Sequence, residues 1–290
     1  MRKLLGIVGL LGLVAMLGCK SKSDSPAPTA PATPVEPEAA APPAAPPKPA
    51  IETQEVTYST ETTTMKGFLA YPAGEGKHPG VLVVHEWWGQ NEYTRSRARQ
   101  LAEMGYVALA VDMYGEGKRA EHPTDAKKFV SEAMKDLDES VARFEAARDF
   151  LAAFAHTDPD KLAAIGYCFG GGVVLHMARL GMDLDLVASF HGTLAAREPM
   201  AKGAFDGKIF VAHGAADAHI DQAQVDAFKQ EMDAAGADYE FVAYEGATHA
   251  FTNPGATEVG KKFSMPIEYD EAADKASWKR LEELLAAAWD

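Results

Sequence analysis

Cysteine is almost absent from this chain: 2 of its 290 residues, Cys19 and Cys168. A disulfide framework is thereby excluded, and a structural zinc site lacks the clustered thiols it would need. The 9 histidines are scattered without an HxxxH pair. His85-Glu86 could open a metalloprotease HExxH, but the fifth position is Gly89. No metal and no other cofactor is expected. Positive charge is also scarce, with 28 Lys and Arg against 42 Asp and Glu, a net charge of −14. Such a surface repels phosphates and anionic headgroups, so nucleic acid is not an expected partner. No block of like charge suggests an interaction tail. A membrane-spanning run is missing as well, since the apolar stretch 4–18 falls short of the roughly 20 residues a span needs.

What is there divides into three parts. Residues 1–19 have a basic start, Arg2 and Lys3, and an apolar run, the pattern of an export signal. The run ends in Met16-Leu17-Gly18-Cys19, which resembles the lipobox of bacterial lipoproteins and implies lipidation of Cys19. The plainer alternative is a secretory signal with an incidental cysteine. The expected address is the cell envelope, through a lipid anchor, or else the periplasm or the medium. Residues 20–50 are dominated by Ser, Pro, Ala, Thr and Glu, too poor in apolar surface to offset ordering entropy, and read as a tether. Residues 51–290 are long enough for one catalytic domain with a large core. A monomer is the expected state.

In that domain strands alternate with amphipathic helices. Strands are predicted at 56–59, 67–71, 81–85, 107–111, 161–167, 186–190, 209–213 and 239–244. Helices are expected at about 93–104, from Pro123, along a stripe of Leu137, Val141, Phe144 and Leu151, after Cys168, from the Asp221/Gln224 capping pattern, and along Trp278, Leu281 and Leu285. Continuous apolar strands alternating with helices imply an α/β fold with a mostly parallel central sheet covered on both faces. Function then collects at the carboxyl ends of the strands.

The sharpest local signal is Gly166-Tyr167-Cys168-Phe169-Gly170, a GxCxG between a predicted strand and a predicted helix. This is the setting of a nucleophile elbow, whose tight turn leaves no room for side chains at the glycines and whose helix N-terminus favours an anion. Taken alone, it is equally a buried cysteine in a glycine-rich turn. Asp217 follows the strand 209–213, and His249 follows the strand 239–244. Nucleophile, acid and base thus occur in the chain order of the α/β-hydrolase fold. Either residue alone would be an ordinary loop residue; together with Cys168 they make a candidate triad.

Three segments carry a resemblance: His85-Glu86-Trp87-Trp88-Gly89, Gly166-Tyr167-Cys168-Phe169-Gly170-Gly171 and Gly246-Ala247-Thr248-His249-Ala250-Phe251. They are similar to those of the dienelactone hydrolase family, and the likeness extends over about 53–289. It implies a single α/β-hydrolase domain acting on a small-molecule ester or lactone with a Cys168, His249, Asp217 triad. It also implies that Glu86 contacts the resting thiol and keeps it protonated until substrate arrives; the alternative is a strand-end carboxylate bound to backbone. The oxyanion would be held by the backbone N–H groups of Trp87 and Phe169.

Members that hydrolyse dienelactone hold its carboxylate with two arginines, and Glu116 and Asn253 stand in those places here. A glutamate repels a carboxylate and an asparagine has no charge, so a neutral ester or lactone is the expected substrate class. Lys118 and Arg119 could supply a cation but read as solvated loop charges, and Trp87 and Trp88 suggest an apolar wall. The rival readings are a catalytically silent binding or scaffold domain, a redox sensor using Cys168, which lacks a second cysteine to resolve it, and a protease on the same triad.

Overall fold

The computed structural model describes residues 49–289. The leader, Cys19 and all of the tether but its last two residues lie outside them. The described elements run β1 (Ile51–Ser59), β2 (Thr64–Pro72), β3 (His78–Val84), α1 (Glu92–Glu103), β4 (Val107–Val111), α2 (Pro123–Lys135), α3 (Leu137–Ala153) and β5 (Thr157–Tyr167). They continue with α4 (Phe169–Arg179), β6 (Leu186–Phe190), β7 (Lys208–Gly214), α5 (Gln222–Ala235), β8 (Asp238–Tyr244), α6 (Ala256–Phe263) and α7 (Glu271–Trp289).

The strands form one eight-stranded sheet in the order β1-β2-β4-β3-β5-β6-β7-β8. The first two strands join antiparallel, and every pairing from β3 to β8 is parallel. β4 and β6 are buried along their whole length, as strands covered on both faces must be. Alternation sorts the side chains. Leu82 and Val84 face α3, α4 and α5 on one side, while Val81 and Val83 face α1 and α7 on the other.

Helix ends follow their local chemistry. The Asn91 side chain accepts the N–H groups of Tyr93 and Thr94 at the start of α1. Pro123 occupies the first turn of α2. Asp221 and Gln224 close a reciprocal capping box on α5, which stops at Gly236 in the left-handed region at φ 69°. β1 and β2 are longer than their apolar residues suggest, because β1 is a polar edge strand held by its backbone ladder. α6 was not expected from the sequence.

β3 is paired with β4 on one side and β5 on the other, and chain direction across the sheet reverses there. A crevice opens at such a switch point outside the carboxyl ends of the strands. Glu86 leaves the end of β3 and Cys168 the end of β5.

Candidate active site

Cys168 sits between β5 and α4 at φ 53° and ψ −114°, a strained conformation for a residue with a side chain. Its N–H donates to Phe190 O at 3.0 Å and lies 3.2 Å from His191 Nδ1, so the end of β6 holds the strained turn from behind. The flanking glycines are required by contact. A Cβ on Gly166 would stand 2.1 Å from Gly170 O, and one on Gly170 would stand 2.4 Å from Val84 O. The first turn of α4 therefore rests directly on the end of β3.

Facing this shelf, His249 Nδ1 lies 2.7 Å from Asp217 Oδ2. Asp217 is buried, and its other oxygen accepts the His219 N–H at 2.8 Å. Burial works against its charge, but the hydrogen bond and positive charge of His249 and the His219 N–H outweigh it and hold the carboxyl below its usual value. Burial likewise opposes a charged His249, yet the adjacent Cys168 charge and the bond to Asp217 prevail, and the imidazole is pushed up to about 10. With Nδ1 committed to Asp217, Nε2 is the nitrogen left on the other side of the ring. Cys168 and His249 thus line one cleft, with the Asp217 carboxylate bonded behind the imidazole.

Glu86 lines the same cleft at 3 % exposure. Its Oε2 accepts from Asn253 Nδ2 at 2.6 Å. Burial raises its pKa to about 7 against the lowering effects of Asn253, His249 and Arg97. Asn253, read from sequence as an unsuited stand-in for a substrate-binding arginine, is thus engaged with Glu86. Glu116 lies elsewhere: it is exposed, 4.0 Å from Lys66, and lines neither part of the cleft. Its loop is wound around buried Asp112, whose carboxylate accepts the N–H groups of Lys66, Tyr114, Gly115 and Gly117. Arg119 is exposed, as a solvated loop charge should be, and donates to Gln90 Oε1 at 3.0 Å. Among the described residues, the N–H groups of Trp87 and Phe169 donate to no protein acceptor.

The cleft has two lobes that share Trp87, Cys168, Thr193 and His249. The larger, about 300 Å³, is apolar and runs along α4 beneath Val130 and Met134. The smaller, about 250 Å³, is bounded by Glu86, Trp88, His219 and Met265. Trp87 and Trp88 pack edge to face at 4.9 Å, forming the apolar wall expected of them.

Sequence reasoning missed the support behind the elbow. His191 Nδ1 faces the Cys168 N–H, which leaves Nε2 to donate to Thr252 Oγ1 at 2.7 Å. Thr252 Oγ1 meets Tyr93 OH at 2.6 Å, and Arg97 ties Thr252 O to Asp274. Burial, and then the positive charges of His249 and Arg97, hold His191 well below its usual pKa and therefore neutral. The available signal was its place, one residue past the end of β6.

Known proteins share this sequence pattern and fold. The dienelactone hydrolase family model matches residues 65–289. The Aquifex pyrophilus protein usf is 32% identical over 212 residues, covering 71% of this chain and 90% of its own. A solved structure named m3DLH is 33% identical with a TM-score of 0.78, covering 83% of this chain and 100% of its own. The crystal structure of P91, a dienelactone hydrolase-like promiscuous phosphotriesterase from metagenomic libraries, is 30% identical at TM-score 0.78, covering 82% of this chain and 99% of its own. On a match that takes in the elbow and both facing loops, the chain belongs to the dienelactone hydrolase family and is a carboxylic ester hydrolase of that type.

Proposed function

We propose that this protein cleaves a small ester or lactone through an acyl-cysteine intermediate. The observation that carries the reading is the 2.7 Å hydrogen bond from His249 Nδ1 to Asp217, with the other face of the imidazole turned to the cleft that Cys168 lines. The Cys168 thiolate attacks the carbonyl carbon, and the carbonyl oxygen takes the charge between the N–H groups of Trp87 and Phe169. His249, protonated and oriented by Asp217, gives its proton to the leaving alcohol. It then takes one from water, whose oxygen displaces the thiolate from the acyl carbon. Glu86, beside this path, opposes charge on the sulfur when ionised and favours it on the imidazole.

A leaving group without negative charge suits the smaller lobe, where Glu86 stands and no arginine lines the wall. This makes dienelactone a poor fit. We also propose that the chain is exported and that Cys19 carries a lipid, on the strength of the leader alone. The catalytic reading is tested by mixing the purified protein with aryl esters and lactones and looking for an acyl adduct on Cys168 by mass spectrometry. The adduct is expected in the wild type and absent from Cys168→Ala, with kcat/KM lower by about 10³-fold or more. Full turnover in Cys168→Ala would end the proposal. For the anchor, inhibiting lipoprotein signal peptidase should leave unprocessed precursor in the membrane.

A further inference from the structure

The larger lobe is walled by one face of α4. Phe169, Gly172, Val173 and His176 line it at helical spacing. The eight-residue step from Cys168 to His176, at a rise of 1.5 Å each, carries the lobe about 12 Å away from the nucleophile. Val130, Met134 and Val173 make much of its wall hydrocarbon. The far part changes character, because His176, Arg179 and Arg197 all line it.

These three groups are not equivalent. Arg179 is buried and committed, with Nε and Nη2 on the two oxygens of Glu231 at 2.7 and 2.9 Å and a further bond to Leu194 O at 2.9 Å. Arg197 is exposed, donates through Nη2 to Met134 O at 2.7 Å, and makes no ion pair with any described residue. The bond to Met134 ties one nitrogen of the guanidinium beside the lobe and leaves its other donors for a ligand. Asp136 caps α3 and Glu139 pairs with Arg143, while Glu198, next to Arg197 in the chain, is exposed and does not line the lobe. His176 is held below its usual pKa by burial first, then by the charges of Arg179 and Arg197, so it meets a ligand as a neutral imidazole. Among the residues lining this lobe, Arg197 therefore supplies the positive charge that no carboxylate answers.

We propose that the larger lobe receives an acyl chain ending in a negatively charged group such as a carboxylate, with Arg197 as the specificity-determining contact and His176 as a second hydrogen-bond donor. The proposal rests on the ester-hydrolase reading and assigns its acyl side. The apolar stretch takes the chain, and the guanidinium, suited to bidentate recognition, takes the terminal carboxylate. The leaving alcohol then departs past His249 through the smaller lobe. The overall negative charge of the protein is no obstacle, since the contact is short and local while distant charges are screened.

The test compares two p-nitrophenyl esters of equal chain length, the octanoate and the suberate monoester, whose far end is a carboxylate. Each protein's rate on the octanoate serves as the reference for its own suberate rate. In the wild type at low salt, kcat/KM for the suberate is expected to exceed that for the octanoate by about tenfold or more, chiefly through KM. Arg197→Gln should remove this preference, Arg197→Lys should keep part of it, and Arg197→Glu should reverse it. A wild-type ratio at or below one, or a ratio untouched in Arg197→Gln, overturns the subsite while leaving ester hydrolysis standing. No turnover of either ester by the wild type overturns the ester-hydrolase reading itself, and the subsite with it.

Discussion

On the Cys168 side of the cleft, position is set by backbone in contact with backbone, while on the His249 side it is set by hydrogen bonds to side chains. Gly166 and Gly170 leave their neighbours no room for a methyl group, and Cys168 is forced to a positive φ above them. Across the cleft, Asp217, His249, Glu86 and Asn253 are held by bonds of 2.6 to 2.8 Å whose strength depends on protonation. The steric side rests on main-chain contact, with His191 held neutral behind it, and should respond to substitution abruptly and with little dependence on pH. The electrostatic side should respond gradually, with pH as the variable.

The largest effect expected is on the steric side. In Gly170→Ala the new Cβ would lie 2.4 Å from Val84 O and 2.7 Å from His85 O, both main-chain atoms of a central strand and its exit. Neither can move without opening the sheet. Loss of folded protein, or a urea midpoint lowered by the equivalent of about 4 kcal/mol or more, is expected. A variant as stable as the wild type would show that contact does not set the shelf.

On the electrostatic side, Glu86→Gln is expected to act through pH. The folded carboxyl titrates at about 7 against 4.5 for an unperturbed group, so the folded state binds the proton more tightly than the unfolded chain. That contribution to stability is complete below 4.5 and lost as pH rises through about 7. At about 1.4 kcal/mol per pH unit it amounts to about 3 kcal/mol. The amide keeps an acceptor for Asn253 and carries no charge, so thermal melts should show the variant more stable than the wild type at about pH 8.5 and closely matched to it at about pH 4. Equal gain at both values would mean that Glu86 is not destabilised by its own ionisation.

The contrast between the two sides also explains what could be read from the sequence. The parallel strands were legible because burial on both faces demands continuous apolar runs, as in 81–84, 107–111 and 186–190. The elbow was legible because its steric requirement is written in glycine. Side-chain partnerships were less so. That Asn253 would bind Glu86 depends on the chain reversing at Ala250 with φ 61°, which no residue type announces. Glu116 lies outside the cleft because its loop folds back on Asp112 through main-chain N–H groups, contacts with no sequence pattern. β1 was underestimated since an edge strand needs no apolar alternation, and α6 was unseen because it is only eight residues long and is docked through Gly260, whose Cβ would meet Ile267 O at 2.4 Å.

The smallest effect comes from a glycine on the same shelf that should behave in the opposite sense. Gly172 lies two residues beyond Gly170, inside α4, and a Cβ there would find Thr193 at 3.4 to 3.6 Å, ordinary contact. Its φ is not in the left-handed region, so alanine adopts the same backbone without strain. Glycine costs a helix interior about 0.5–1 kcal/mol relative to alanine, through the entropy of the unfolded chain. Gly172→Ala should therefore raise the melting temperature by about 1–4 °C. The added methyl faces the apolar lobe, so kcat/KM for long acyl esters should fall relative to acetyl esters while the nucleophile stays in place. If Gly172→Ala instead destabilises the protein as Gly170→Ala does, the constraint belongs to the whole helix and not to the one turn that touches β3, and the division drawn between steric and electrostatic sides loses its boundary.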